Sequence, residues 1–144
     1  MEFCAKFFNE LTLSELYEIV RARTEVFLME QKIICRDFDG EDYNCLHCFI
    51  MDNGKVLAYL RAFSKDNNTV KIGRVLSVRH GEGLGRDLMQ RATPCIKEKL
   101  KCNKIILNAQ KHAQGFYEKL GYVATSSVFS EEGILHVAME RVLE

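Results

Sequence analysis

The segment most able to do chemistry runs Val75-Leu76-Ser77-Val78-Arg79-His80-Gly81-Glu82-Gly83-Leu84-Gly85-Arg86. An apolar strand pattern enters, glycines follow, and a helical pattern begins. The first backbone N–H groups of a helix have no internal partner and carry the positive end of its dipole. Glycines let such a backbone approach a phosphate closely, so the segment has the makings of an anion cradle. Two familiar versions are excluded. A dinucleotide fingerprint needs a further glycine where Arg86 stands, and a Walker loop needs Lys-Ser/Thr where Arg86-Asp87 follow Gly85. On the glycines alone, a strand-to-helix turn without a ligand fits equally well.

Cys45-x-x-Cys48, with His47 between, has the spacing of half a zinc or redox site. The chain has no second such pair, and Cys45 and Cys48 open an apolar strand pattern. Reduced, buried thiols are the simpler reading of the six cysteines, and no metal is expected.

The elements that would position these groups are legible in outline. Thr12 and Glu15 form a capping box, and Leu13, Leu16, Tyr17 and Val20 recur at helical spacing, so a helix is predicted to about Leu28. An acidic loop spans Arg36 to Asn44. The run from Leu46 to Met51, the Asn53-Gly54 turn and the run from Lys55 to Phe63 make a hairpin. Thr69 to Ser77 is a third strand. Leu84, Leu88, Ala92, Cys95 and Leu100 stripe a second helix, in which Pro94 predicts a kink, or a break near Thr93. Lys104 to Ala109 is a strand and His112 to Leu120 a short helix capped by Gly121. Tyr122 to Phe129 and Ile134 to Val142 are strands around Glu131-Glu132-Gly133. This order describes one α/β (α+β) domain over residues 1–144, with a mixed, mostly antiparallel central sheet and helices on both faces.

Two stretches together resemble the GNAT superfamily of N-acetyltransferases. His80 to Leu88 resembles its pyrophosphate loop, with Gly83 and Gly85 at the two small positions. Ala113-Gln114-Gly115-Phe116-Tyr117-Glu118-Lys119-Leu120-Gly121-Tyr122 resembles its second signature, a small residue, Phe-Tyr, then Gly-Phe/Tyr. Arg21, Arg23, Val26, Phe27, Glu30 and Gln31, then Asp37 to Asp42, His47, Ile72 to Val75, Asn108 to Gln110 and Glu132 to His136 extend the resemblance to the ElaA-like group over nearly the whole chain.

The resemblance implies acetyl-CoA as cosubstrate and an amine as acceptor. Val75, Leu76 and Ser77 would line the pantetheine arm. His80, Gly81, Glu82, Gly83, Leu84, Gly85 and Arg86 would form the pyrophosphate loop, and Gln110 would hydrogen-bond the arm. His80 departs from the usual Arg or Gln and Glu82 adds a carboxylate, while Arg79 and Arg86 supply positive charge. Tyr117 would be the general acid that protonates the departing thiolate. Glu30, His47 and His136 are the candidate bases, expected to converge on one cleft. Arg21 and Arg23 lie on the helix that borders the acceptor side.

Lysine plus arginine balance aspartate plus glutamate at 20 each. No positive field is available for nucleic acid. No apolar run is long enough to span a membrane, and Met1 to Glu10 lacks the features of a signal peptide, so a cytoplasmic protein without membrane partners is expected. A monomer and a homodimer are equally compatible with the sequence. The rival function is a coenzyme A-binding regulatory module without catalysis, which an amine panel distinguishes from an enzyme.

Overall fold

The computed structural model describes residues Met1–Glu144. Its elements are β1 (Glu2–Phe7), α1 (Leu13–Arg23), a π-helical segment (Thr24–Glu30), β2 (Leu46–Asp52), β3 (Lys55–Ser64), β4 (Thr69–Ser77), α2 (Leu84–Leu100), β5 (Lys104–Gln110), α3 (Gln114–Lys119), β6 (Val123–Ala124), β7 (Phe129–Glu131) and β8 (Ile134–Val142). One sheet orders them β1-β2-β3-β4-β5-β8-β6, with β7 also on β8. Only β4 and β5 pair in parallel.

The Thr12–Glu15 capping box forms, each side chain bonding the other residue's backbone N–H. The chain then departs from the predicted long α-helix. The α-helix ends at Arg23 and continues as π-helix to Glu30, where Gln31 N–H donates to Val26 O five residues back. Wider turns of this kind are rare and cluster at functional sites.

Of the kink or break expected at Pro94 the break does not occur, and one predicted strand is corrected. The helix α2 runs through Pro94 without a break at Thr93. It carries Leu84, Leu88, Met89, Ala92 and Ile96 into the core, and that burial outweighs the one lost backbone bond. The predicted strand from Tyr122 to Phe129 is two short pieces, β6 and β7, because Ser126 interrupts the ladder and caps it with its own hydroxyl, which accepts from Ala138 N–H at 3.0 Å. An additional strand, β1, precedes α1 and pairs with β2 throughout. The turn between β7 and β8 is set by Glu132 and Gly133, both at positive φ (53° and 74°).

Each sheet face buries its own cluster. The larger one, under α2 and α3, includes Cys48, Leu60, Ile72, Leu88, Leu107 and Tyr117. The smaller one, under α1, joins Ile19, Ala22 and Val26 to Phe49, Tyr59 and Leu76. Helices therefore cover both faces of a mostly antiparallel sheet. No helix is long and apolar enough to cross a membrane.

Candidate active site

The parallel pairing of β4 with β5 stops after three residues a side, Thr69–Lys71 against Lys104–Ile106. Both strands continue: β4 stays on β3 as far as Ser77 opposite Ala58, and β5 stays on β8 as far as Gln110 opposite His136. The result is a V-shaped opening in the middle of the sheet, whose facing edges have backbone groups with no strand partner. Such groups require a hydrogen-bond partner from elsewhere.

A bulge in β4 helps to open the V. Tyr59 faces Leu76 and Arg61 faces Gly73, so Leu60 alone stands opposite Arg74 and Val75. Arg74 takes a positive φ of 54°, an unusual conformation for a long side chain. It is held there by Asp37: Arg74 Nε donates to the Asp37 carboxylate at 2.8 Å. Beyond the bulge Val75 packs on the larger core and Leu76 on the smaller.

At the top of β4 the chain turns through Gly81 and Gly83, both left-handed, and α2 begins at Leu84. No atom lies within 4 Å of where a Cβ on Gly81 or Gly83 would sit, so the loop's outer surface is open. At Gly85 a Cβ would lie 3.4 Å from Phe116 Cζ. The glycine loop and the Phe116-Tyr117 segment, about thirty residues apart in sequence, therefore touch.

Tyr117 is 7% exposed and meets Phe116 and Tyr122 edge to face, at 5.0 and 5.8 Å between ring centroids. It belongs to the larger core, which also includes Ala109 of β5 and has Val75 of β4 packed on it. Burial holds its phenol well above the usual tyrosine pKa. Its hydroxyl has no hydrogen-bond partner in the protein and is not sealed from solvent; the sealed, unpartnered side-chain atoms are Tyr122 Oη and Arg61 Nε.

Two of the loop's polar side chains, those of His80 and Arg79, are already partnered. His80 Nε2 lies 2.7 Å from Glu30 Oε1, and Arg79 lies 3.5 Å from Glu82. Arg86 is exposed and has no ion-pair partner. Gln110 is likewise partnered: its Nε2 donates to Gln31 Oε1 at 3.0 Å, and its Oε1 accepts from His112 Nε2 at 2.7 Å. Ser77 donates to Arg79 O at 2.6 Å, which tightens the exit from β4.

The three candidate bases have different partners. His47 is buried in the sheet under the α1 side; its Nε2 donates to Asp42 O at 2.9 Å and its Nδ1 accepts from Tyr59 O–H at 2.6 Å. With both ring nitrogens occupied and burial depressing its pKa, His47 is a structural hydrogen-bonder here. Glu30 is partnered by His80, on the rim of the glycine loop. His136 stands opposite Gln110, stacked on Phe129. Its Nδ1 donates to Ile134 O at 2.8 Å, because a carbonyl can only accept. The neutral ring therefore keeps its lone pair on Nε2, which has only the Glu131 carboxylate near it, at 3.7 Å.

Sequence reasoning missed the groups that hold the acidic loop. Arg23, only 2% exposed, binds Asp37 and Asp42; Arg61 binds Asp39 and Asp42; Arg74 binds Asp37. Alternating aspartates at 37, 39 and 42 beside lone arginines were the available signal. Neighbouring guanidinium groups hold the Asp39 and Asp42 carboxyls below the usual carboxylate range. Arg21, in contrast, pairs with Glu18 on the helix surface. Cys45 donates to Glu41 O, and burial lifts its thiol to about 12, while Cys48 lies in the larger core; no three His, Cys, Asp or Glu side chains come together as a metal site. Cavities of about 360 Å³ between β1 and the β2–β3 turn, and about 110 Å³ beside Arg21 and Val78, lie away from the V.

A family model for the acetyltransferase (GNAT) domain matches residues 17–143. The chain belongs to the GNAT acetyltransferase family. Membership assigns it to the acyltransferases that work on coenzyme A-linked substrates. A UPF0039 protein of Schizosaccharomyces pombe is 38% identical over 143 residues, covering 96% of this chain and 95% of its own. The protein ElaA of Escherichia coli is 32% identical over 139 residues, with 92% and 91% covered. The crystal structure of E. coli ElaA superposes at a TM-score of 0.89, at 31% identity, covering 97% of this chain and 98% of that one. An acyl-CoA N-acyltransferase from Pseudomonas aeruginosa superposes at 0.91 with 36% identity, covering 99% and 100%. The chain is thus an ElaA-like GNAT protein.

Proposed function

We propose that this protein transfers the acetyl group of acetyl-CoA to a primary amine, with Tyr117 as general acid and His136 as general base. The observation that carries the reading is the V between β4 and β5, capped by the open glycine loop at the start of α2. The edge of β4 from Val75 through Leu76 to Ser77, whose backbone groups on alternate residues face the V, suits the amides of a pantetheine arm. The amides from His80 through Gly81, Glu82, Gly83, Leu84 and Gly85 to Arg86 suit a pyrophosphate, and Arg86 adds an unpaired positive charge. Gln110 bridges to Gln31 and keeps one amide N–H and one oxygen lone pair with which to hydrogen-bond the arm.

The chemistry balances with these groups. The neutral amine attacks the thioester carbon, the C–N bond forms and the C–S bond breaks. The sulfur takes a proton donated by Tyr117, whose buried phenol is fully protonated at neutral pH. The nitrogen gives a proton to Nε2 of His136, whose tautomer leaves that atom able to accept. Glu131, beside the same nitrogen, stabilises the resulting imidazolium. Both protons exchange with solvent after release.

The test is Tyr117→Phe, which keeps the ring and its contacts. Turnover should fall by about a hundred- to ten-thousand-fold. Affinity for acetyl-CoA should change little, since the hydroxyl acts mainly as charge develops on sulfur. Near wild-type turnover would remove Tyr117 as the acid. A loss of affinity without a loss of turnover would make it a binding residue.

A further inference from the structure

The glycine loop is partnered by a carboxylate from a distant part of the chain. His80, the first residue of the glycine loop, is paired with Glu30, which comes from the end of the π-helical segment 50 residues earlier. A loop cation, Arg79, faces Glu82. A loop whose amides and cations suit a pyrophosphate therefore carries a foreign carboxylate at 2.7 Å from His80. Two anions cannot share that imidazole without repelling each other.

We propose that Glu30 is an exchangeable hydrogen-bond partner of the glycine loop, which a donor pyrophosphate displaces from His80. The inference rests on the reading of that loop as the donor site. Exchange requires a partner that is easily released, and this pair qualifies. The His80 and Glu30 side chains are 72% and 48% exposed, so their attraction is weakened by solvent. Exchange also requires that the carboxylate can leave while its backbone stays. The next residue, Gln31, pins the end of the π-helical segment to Gln110 of β5. Release of Glu30 is then a side-chain rotation. It frees a carboxylate on the element that borders the acceptor side, so donor binding changes the charge an incoming amine meets.

The experiment is coenzyme A binding by titration calorimetry to the wild type, Glu30→Gln, His80→Gln and the double variant. Glu30→Gln should tighten coenzyme A binding by about two- to five-fold, the range an exposed ion pair supports. His80→Gln should weaken it. In the His80→Gln background the Glu30→Gln gain should vanish, because the competition needs both partners. Unchanged or weaker binding by Glu30→Gln would overturn the proposal, and so would a gain that persists without His80. A wild type that binds no coenzyme A would instead remove the underlying reading of the loop. The exposed pair makes no core contact, so unchanged melting temperatures should confirm that all variants fold.

Discussion

Gln31 and Gln110 lie 79 residues apart in the chain and are joined by a hydrogen bond of 3.0 Å across the opening of the sheet. Together with the Glu30–His80 pair, it ties one turn of π-helix to both arms of the V, to β5 directly and to β4 through the loop that follows it. A turn of ordinary α-helix would direct residues 30 and 31 differently, since the π geometry adds a residue to each turn. The segment is thereby hydrogen-bonded to both sides of the opening.

Gln110→Leu removes the bridge and leaves Gln31 and His112 without their partner. Both groups reach solvent, so the stability cost should stay within about 1 kcal/mol. The donor KM should rise several-fold as the V loosens. Steady-state kinetics beside a urea melt separates the two effects. A donor KM equal to wild type would mean that the bridge does not set the width of the V.

The glycine loop can be probed without forcing the backbone. Gly83→Val introduces a branched side chain at a φ of 73°, so it strains the fold as well as the site. Asparagine tolerates that conformation. Gly83→Asn should keep a melting temperature near wild type and lose most of the rise that acetyl-CoA produces, because its side chain enters the space open to phosphate. A full ligand-induced rise in Gly83→Asn would put the pyrophosphate elsewhere.

Tyr122 is 2% exposed and its hydroxyl has no partner. Removing an unpaired buried hydroxyl is neutral or favourable, so Tyr122→Phe should raise stability by up to about 1 kcal/mol. Chemical denaturation measures this. A loss of more than 1 kcal/mol would reveal a partner for the hydroxyl. The same change at Tyr117, whose ring centroid lies 5.8 Å from that of Tyr122, should act on turnover instead, which makes the two variants useful controls for each other.

Acid should unfold the protein in two stages. His47 has a folded pKa depressed by burial, so its native environment disfavours the proton. That contribution is present above its unfolded value of about 6.5 and fades as pH falls below it. Asp39 and Asp42 are depressed by Arg61 and Arg23, and their contribution is present above about 4 and is lost further down. Urea midpoints should therefore fall gently below pH 6.5 and steeply below pH 4. Arg23→Met should cost about 3 kcal/mol at pH 7, since it strips Asp37 and Asp42 of a buried partner. A flat profile, or a neutral Arg23→Met, would show that the network does not hold the loop.

The sequence made the local features readable. The Thr12–Glu15 box, the Asn53-Gly54 hairpin, the glycine loop and the Gly121 cap each lie within a few adjacent residues, and each forms. What it hid depends on distant partners. Nothing within Glu2 to Phe7 announces a strand; its ladder partner begins at Leu46. The π-helical stretch after Arg23 lies between two side chains with distant partners, Arg23 on Asp42 and Gln31 on Gln110. Two short signatures mark the loop and Tyr117 as candidates in the sequence, and the fold brings those two stretches into contact through Gly85 and Phe116. The distinction between His47 and His136 was not legible, because residue type says nothing about which ring nitrogen is already bonded.

The central claim is amine acetylation from acetyl-CoA at the V between β4 and β5. Its most direct measurement is thiol release from acetyl-CoA by the purified protein against a panel of primary amines, with mass analysis of the amine product. The account predicts release that requires both protein and amine, an acetylated amine in equal amount, and a fall of at least a hundredfold in Tyr117→Phe. Tight coenzyme A binding with no amine-dependent release across small polyamines, amino sugars and peptide N-termini would contradict it and favour a binding module.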